Sequence, residues 1–420
     1  MTLGEKTGAD YGSCTRRNEK RLVGDVPSIS NMLEVILKLD GSPVTVHGER
    51  CVLVRNRNAG CLRCAEACAS GCIHYDGTMV KLFPDKCIGC GTCATACPTC
   101  ALEAHNPNDA HLLNCCLSAA DAAGGVTCLA CGQLLDQAHG LYDEEKVVRV
   151  ECLGRVEESL LTSLAALRVM KIVLVRGECE ACERVSGWGM AQKVCDAEIQ
   201  LLRAWESVTD VLVVKKLPAA MRAVREDHDT CRRNALRKGG RDVARMGSAM
   251  TNAAFCDAFG DSRENEHAPC PVKVMGDGTL PHFLPDRRER LLDALACMGE
   301  PRDVMLDTRL WGRVVIHADR CTSCQMCATF CPTEALSKHQ NEEGAFEVRH
   351  RSGDCVKCRC CVNICPTGAL ELSEEVNATD LLSGKTDCYP MDPSAVDRGG
   401  PHTIWNLMKS MTGTDQIYER

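Results

Sequence analysis

Residues 321–332 read Cys-Thr-Ser-Cys-Gln-Met-Cys-Ala-Thr-Phe-Cys-Pro, a C-x2-C-x2-C-x3-C-P phrase that sets Cys321, Cys324, Cys327 and Cys331 ahead of Pro332. The phrase returns at Cys355, Cys358, Cys361 and Cys365-Pro366, and occurs near the other end at Cys87, Cys90, Cys93 and Cys97-Pro98. The residues that follow also match: Pro98-Thr99-Cys100-Ala101-Leu102, Pro332-Thr333-Glu334-Ala335-Leu336 and Pro366-Thr367-Gly368-Ala369-Leu370. Three copies of one phrase mark an internal repeat, and thiols held this close on a short turn point to metal. A fourth run, C-x2-C-x3-C-x3-C, joins Cys61, Cys64, Cys68 and Cys72 and ends in Ile73 where the others carry proline.

The rest of the chain narrows the possibilities. Its 420 residues make two to four domains at about 100–200 residues each. The 33 cysteines stand against only 6 Phe, 5 Tyr and 4 Trp, so large aromatic cores are not expected. With 45% hydrophobic and 25% charged residues the composition is that of a folded protein. A secreted disulfide scaffold is excluded by length and by the start of the chain, where Arg16-Arg17 is followed by Asn18-Glu19-Lys20-Arg21 rather than an apolar leader. Ser163 to Val175, the longest apolar segment, is broken by Arg168 and Lys171 and falls short of the roughly 20 residues of a membrane span. The expectation is a cytoplasmic protein docked to a larger complex, and the net charge of −8 argues against general nucleic-acid binding.

The cysteine runs resemble bacterial-type ferredoxins, in which such a run binds a [4Fe–4S] cluster and its fourth cysteine serves the other cluster of the pair. The resemblance covers about 45 residues at the front and about 55 at the back. It implies α+β ferredoxin-type dicluster modules at both ends and four [4Fe–4S] clusters. At the back it implies Cys321, Cys324, Cys327 and Cys365 for one cluster and Cys355, Cys358, Cys361 and Cys331 for the other. At the front it implies Cys61, Cys64, Cys68 and Cys97 for one and Cys87, Cys90, Cys93 and Cys72 for the other, with one inserted residue absorbed as a bulge. Cys360 falls out of phase, and Cys100 is a spare thiol. Zinc is the competing reading. It favours two separated C-x2-C pairs, whereas each run offers three or four close thiols and a proline.

Between the modules the pattern alternates. Lys146–Cys152, Lys171–Arg176 and Val211–Val214 read as strands, and Val156–Leu167 and Trp188–Trp205 as helices, which gives a parallel sheet covered by helices. Cys128, Cys131, Cys152, Cys179 and Cys182 each follow an expected strand. Ligand sites of open parallel sheets lie beyond the strand carboxyl ends, so these five form a candidate central metal site. The phrase Val-Arg-Val-Glu-Cys-Leu-Gly-Arg-Val-Glu and the later Val-Arg-Gly-Glu-Cys resemble the delta subunit of methyl-viologen-reducing hydrogenase over about 90 residues. That resemblance implies a [2Fe–2S] cluster passing electrons to heterodisulfide reductase, although Cys179 and Cys182 stand closer together than the family's last two cysteines. The site is therefore expected to hold one additional [2Fe–2S] or [4Fe–4S] cluster, or to work without metal as a reactive dithiol.

The expected organisation is an extension over 1–45, a ferredoxin module over 46–106, the α/β domain over 107–217, a helical and linker region over 218–310, a second module over 311–375 and a tail over 376–420. The two modules thus flank a central α/β parallel-sheet domain. Met221–Arg245 is a basic run read as a solvated helix face, Pro269–Pro285 a linker, Arg287–Met298 a short amphipathic helix, and Ile404, Trp405, Leu407 and Met408 an apolar face in the tail. Cys14, Cys51, Cys195, Cys231, Cys256, Cys270, Cys297 and Cys388 read as packing residues, as do Cys115 and Cys116. No Gly-rich phosphate loop or Ser/His/Asp set appears, so no catalytic residue is assigned. The function expected is an iron–sulfur relay subunit of an anaerobic oxidoreductase, with a flavoprotein, hydrogenase or reductase subunit as partner. Dithiol chemistry and redox sensing are the rivals.

Overall fold

Val-Thr-Val, a β-branched run suited to a pleated strand, forms β1 (Val44–Val46). The computed structural model describes residues 43–105, 107–138, 140–223, 280–342, 344–392 and 394, all in one structural unit. After β1 come the single turns α1 (Val52–Arg55) and α2 (Arg63–Glu66), the hairpin β2 (Ile73–Tyr75) and β3 (Val80–Leu82), α3 (Thr92–Ala96) and β4 (Leu102–Ala104). β1 pairs antiparallel with β4, Val44 opposite Ala104, and β2 with β3, Ile73 opposite Leu82. The Asp76 carboxylate closes the hairpin by accepting the N–H groups of Thr78 and Met79, both at 2.9 Å, while Gly77 takes φ 96°, where a side chain would be strained.

The expected parallel sheet follows. Its elements are α4 (Asp109–Ala122), β5 (Val126–Cys131), α5 (Gly132–Gln137), β6 (Val147–Val150), α6 (Glu158–Ala166), β7 (Lys171–Val175), α7 (Ser186–Ala204) and β8 (Asp210–Val214). All four strands run parallel in the order β6-β5-β7-β8. Lys-Ile-Val-Leu-Val of β7 is a nearly continuous apolar run because helices cover an inner strand on both faces, while Val-Val-Arg-Val of β6, at the sheet edge, exposes only its Arg149. Leu129, Leu161, Leu164, Ile172 and Leu174 are fully buried beneath the helices.

The amphipathic helix appears as α8 (Asp286–Met298) and packs on α6. Then come β9 (Met305–Asp307), β10 (Arg313–Ile316), α9 (Met326–Thr329), β11 (Leu336–Gln340), β12 (Phe346–His350), α10 (Cys360–Ile364), β13 (Leu370–Ser373), β14 (Glu375–Asn377) and β15 (Asp387–Pro390). The front plan repeats: β10 pairs with β13, and β11 with β12. The structure runs past the expected boundary at 375, since β14 pairs back to β9 and β15 adds a third strand beside β12.

The two modules flank the sheet in sequence but touch each other in space. Val52, Leu53 and Val54 of α1 pack with Met326, Phe330, Cys360 and Ile364 of the second module. A charged hub ties the three parts together. Asp109, at the start of α4, accepts from Arg287 Nε at 2.9 Å, Arg290 Nη2 at 2.9 Å and Arg155 Nη2. Arg309 pairs with Glu158 of α6 and donates to the Thr95 carbonyl of α3 at 3.0 Å. The basic run beyond Ala223, most of the linker, the apolar tail, and Cys14, Cys231, Cys256 and Cys270 lie outside the described residues. Among the described residues no helix is long and apolar enough to cross a membrane.

Candidate metal centres

In the second module the chain brings the thiols together as two sets. Cys321, Cys324, Cys327 and Cys365 line one cavity, and Cys331, Cys355, Cys358 and Cys361 line another. Tight loops achieve this: Ser323, Gln325, Lys357 and Arg359 all take left-handed φ of 50–64°, a strained value for residues with side chains. Backbone N–H groups aim at the sulfurs, Ser323 to Cys321 Sγ at 3.4 Å, Leu336 to Cys331 Sγ at 3.5 Å and Ala369 to Cys365 Sγ at 3.2 Å. Burial pushes the Cys355 thiol up to about 11, and the Cys331 thiolate adds to the rise. Such a pocket holds several thiolates only if it also holds positive charge, which iron supplies, so the donor set fits a cluster. Among the described residues no three Cys, His, Asp or Glu side chains converge on a point that would hold a single ion, the convergence that zinc requires.

The front module repeats the geometry and changes the phase of its first run. Each helix starts one residue before a third cysteine: α3 before Cys93, α9 before Cys327, α10 before Cys361 and α2 before Cys64. Each strand after a run starts five residues past the fourth cysteine, at Leu102, Leu336 and Leu370, and Ile73 stands five past Cys68. Hydroxyls two residues on approach the fourth sulfur: Thr99 at 3.7 Å from Cys97, Thr333 at 3.9 Å from Cys331, Thr367 at 3.7 Å from Cys365 and Ser70 at 3.5 Å from Cys68. Cys100, Glu334, Gly368 and Gly71 share positive φ of 49°, 60°, 62° and 64°. Cys61, Cys64 and Cys68 therefore occupy the second, third and fourth positions. No residue is inserted among them, and Cys72 stands where the other runs carry alanine. Its Sγ lies 3.4 Å from that of Cys68.

Cys51 sits among these thiols rather than apart as a packing residue. Burial pushes its thiol up to about 11, and Cys97 and Cys61 contribute. Cys64 is raised by burial to about 12, with Cys97, Cys51 and Cys61 adding to it. Cys93 is raised by burial and by Cys90, Cys87, Cys64 and Cys68.

At the carboxyl edge of the parallel sheet four of the five expected thiols gather. Besides burial, which raises both thiols, Cys179 and Cys182 act on Cys152, and Cys131 on Cys179. Gly177 passes beside Cys131 Sγ and Gly187 beside Cys152 Sγ, so closely that a methyl group on Gly187 would collide. Cys182 opens onto a surface cleft with Gln133, Asp136 and Arg184. Cys128 does not join them. Both Cys128 and Cys131 lie within β5 rather than after it, three residues apart, so they face opposite sides of the sheet. Cys128 packs with Val173 and Leu217, and Cys131 with the cluster around Leu129. Cys116 and Cys195 are core residues as expected, whereas Cys297 and Cys388 are exposed.

Comparison with known proteins agrees with the repeat. Residues 320–369 match the 4Fe-4S dicluster domain, and residues 80–103 match the 4Fe-4S binding domain. The chain carries two ferredoxin-type iron–sulfur domains. Curated relatives of those domains are ferredoxins. That of Saccharopolyspora erythraea is 43% identical over 35 residues, 8% of this chain and 33% of the relative. One from Mycobacterium tuberculosis is 34% identical over 68 residues, 16% of this chain and 55% of the relative. One from Mycolicibacterium smegmatis is 36% identical over 53 residues, 13% of this chain and 45% of the relative. The chain thus spans between a third and about half the length of the relatives it matches. No solved structure matches significantly.

Both ferredoxin-type domains carry one histidine contact in register. His47 Nε2 lies 3.1 Å from Glu103, and His317 Nε2 lies 3.2 Å from Glu371. Hydrogen bonds to Glu103 and then Glu49 raise His47 from about 6.5 to about 9. A histidine pKa raised by folding adds stability that is complete below the unfolded value and is lost as pH rises through the folded one. Glu103→Gln should therefore lower the urea midpoint at about pH 6, and the gap from the parent should close as pH passes about 9. A gap that stays constant across that range would rule the contact out as the cause.

Proposed function

We propose that this chain is a multi-cluster electron relay, a subunit of an anaerobic cytoplasmic oxidoreductase complex of the hydrogenase or heterodisulfide-reductase kind. One observation carries the reading: the thiol groups form a continuous series. Cys327, Cys331, Cys355 and Cys361 share one core, and Cys61 packs with Cys324 and Cys358 across the contact between domains. Cys64, Cys93 and Cys97 share the next core, and Gly187 at the sheet edge lies against both Cys152 and Thr92, the neighbour of Cys93. Four [4Fe–4S] clusters and a fifth cluster at Cys131, Cys152, Cys179 and Cys182 would make a wire, each passing one electron when bound. The N–H groups aimed at Cys321, Cys331 and Cys365 would set potentials along it.

The sheet-edge site, with its surface cleft at Cys182, is the end open to a redox partner such as a flavoprotein, hydrogenase or reductase subunit. Its likeness to the hydrogenase delta subunit supports the same role. The dithiol alternative has less support, because burial raises the Cys179 thiol where a reactive thiolate needs it lowered. Iron and sulfide analysis with EPR on anoxically purified protein tests the relay. About 18 to 20 irons per chain are expected, whereas about 16 would leave the sheet edge empty and about 8 or fewer would end the relay reading.

A further inference from the structure

The first run of the N-terminal domain lacks a thiol at its regular starting position. Counting back from Cys61 by the C-x2-C spacing reaches Asn58, which is exposed and has no sulfur. The missing position is found elsewhere. His47-Gly48-Glu49-Arg50-Cys51 repeats His317-Ala318-Asp319-Arg320-Cys321, which leads into the first cysteine of the second module. The two stretches are also alike in backbone: His47 N–H donates to the Ala101 carbonyl at 2.7 Å, and His317 N–H to the Ala369 carbonyl at 2.9 Å. A one-turn helix precedes Cys51 as it precedes Cys87 and Cys355, and Cys51 has φ −74° and ψ 129° against −78° and 119° at Cys87 and −72° and 122° at Cys355. Gly60, just before Cys61, has φ 62°, as Gly89, Ser323 and Lys357 have φ 64°, 56° and 50° before the second cysteines of the other runs.

We infer that Cys51 is the first ligand of this run, which is read C-x9-C-x2-C-x3-C, and that the seven extra residues form a loop carrying α1. One cluster is then held by Cys51, Cys61, Cys64 and Cys97, and its neighbour by Cys68, Cys87, Cys90 and Cys93. Cys72 holds neither. Packing agrees, because Cys51 adjoins both the group that contains Cys64 and Cys97 and the group that contains Cys61. The extra loop has a visible use: Val52, Leu53, Val54 and Ala59 fill the contact with the second domain, so the insertion that displaces the first ligand also joins the domains.

The inference rests on the relay reading to the extent that the N-terminal domain is loaded, and the test separates the two. Full-length parent, Cys51→Ser and Cys72→Ser are purified without oxygen and compared by iron and sulfide content, EPR and far-UV circular dichroism. Cys51→Ser is expected to lose one to about four irons per chain and one cluster's share of the reduced signal, while Cys72→Ser matches the parent. If Cys51→Ser keeps the parent's iron and spectrum, or Cys72→Ser loses as much as Cys51→Ser, the assignment is overturned while the relay stands. A parent with iron for the second domain alone would overturn both. Should Cys51→Ser fail to fold, alkylation of the loaded parent decides. Exposed Cys388 reacts, and Cys51 is expected to react only after the iron is chelated. Modification of Cys51 with all iron retained would overturn the assignment.

Discussion

Replacing Asp109 by alanine should cost about 3–5 kcal/mol of stability, the range for stranding buried charge. Burial by itself would raise this carboxyl, but Arg287, Arg155 and Arg290 overcome it and hold the group well below the usual carboxylate range. Removing the carboxylate leaves Arg155, whose side chain is 3% exposed, and Arg287, at 11%, without their counter-charge. Asp109→Asn keeps the size and the first helical turn, so it isolates the charge. Lys385, 55% exposed beside Asp380, is the control: Lys385→Ala should shift stability by less than about 1 kcal/mol because solvent already screens that pair. Urea unfolding near neutral pH measures all three. Equal losses for Asp109→Ala and Lys385→Ala would show that the hub is no stronger than a surface pair.

Chelating the iron should unfold both ferredoxin-type domains and leave the parallel sheet standing. In the second domain Val314, Leu336, Val348 and Leu370 pack around Cys327, Cys331, Cys355 and Cys361, so the thiols form much of the wall of a small core. Domains of this size bury little surface per residue, and metal binding is then part of their folding free energy. The sheet has its own core of Leu129, Leu161, Leu164, Ile172 and Leu174, built of aliphatic side chains rather than around cysteine thiols. Hydrogen exchange read by mass spectrometry should show protection lost over 44–104 and 313–373 and kept over 126–214. Protection surviving in all three after the iron is gone would sink the idea that clusters hold the domains together.

What could be read from the residues depended on whether the information was local. The three regular runs are legible because each places its thiols on one short turn, and the repeat after the proline marks where the next strand begins. Val-Val-Arg-Val and Ile-Val-Leu-Val likewise announce buried parallel strands. β5 is harder, since Val-Thr-Cys-Leu-Ala-Cys reads as cysteine ligands following a strand when it is the strand itself. Period-two counting would have separated Cys128 from Cys131. The first run misleads because α1 interrupts it, so spacing counted from Cys61 falls one residue out of step. The signal that corrects it is the His-x-x-Arg-Cys lead shared by Cys51 and Cys321. The Asp109 hub joins residues 46 to 181 positions apart and the contact between the two domains residues as far as 304 apart, and no local pattern encodes them.

The pairing of β1 with β4 and of β10 with β13 bears on how such a chain can be assembled. Val44 lies opposite Ala104, and Arg313 opposite Ser373, so each ferredoxin-type domain hands the backbone back beside the point where it took it up. A segment with adjoining ends is a cassette: it can be copied and spliced into another polypeptide without pulling the host strands apart. Gene duplication followed by such splicing needs no redesign of the sheet at 126–214, only a matching face on which the second copy can rest.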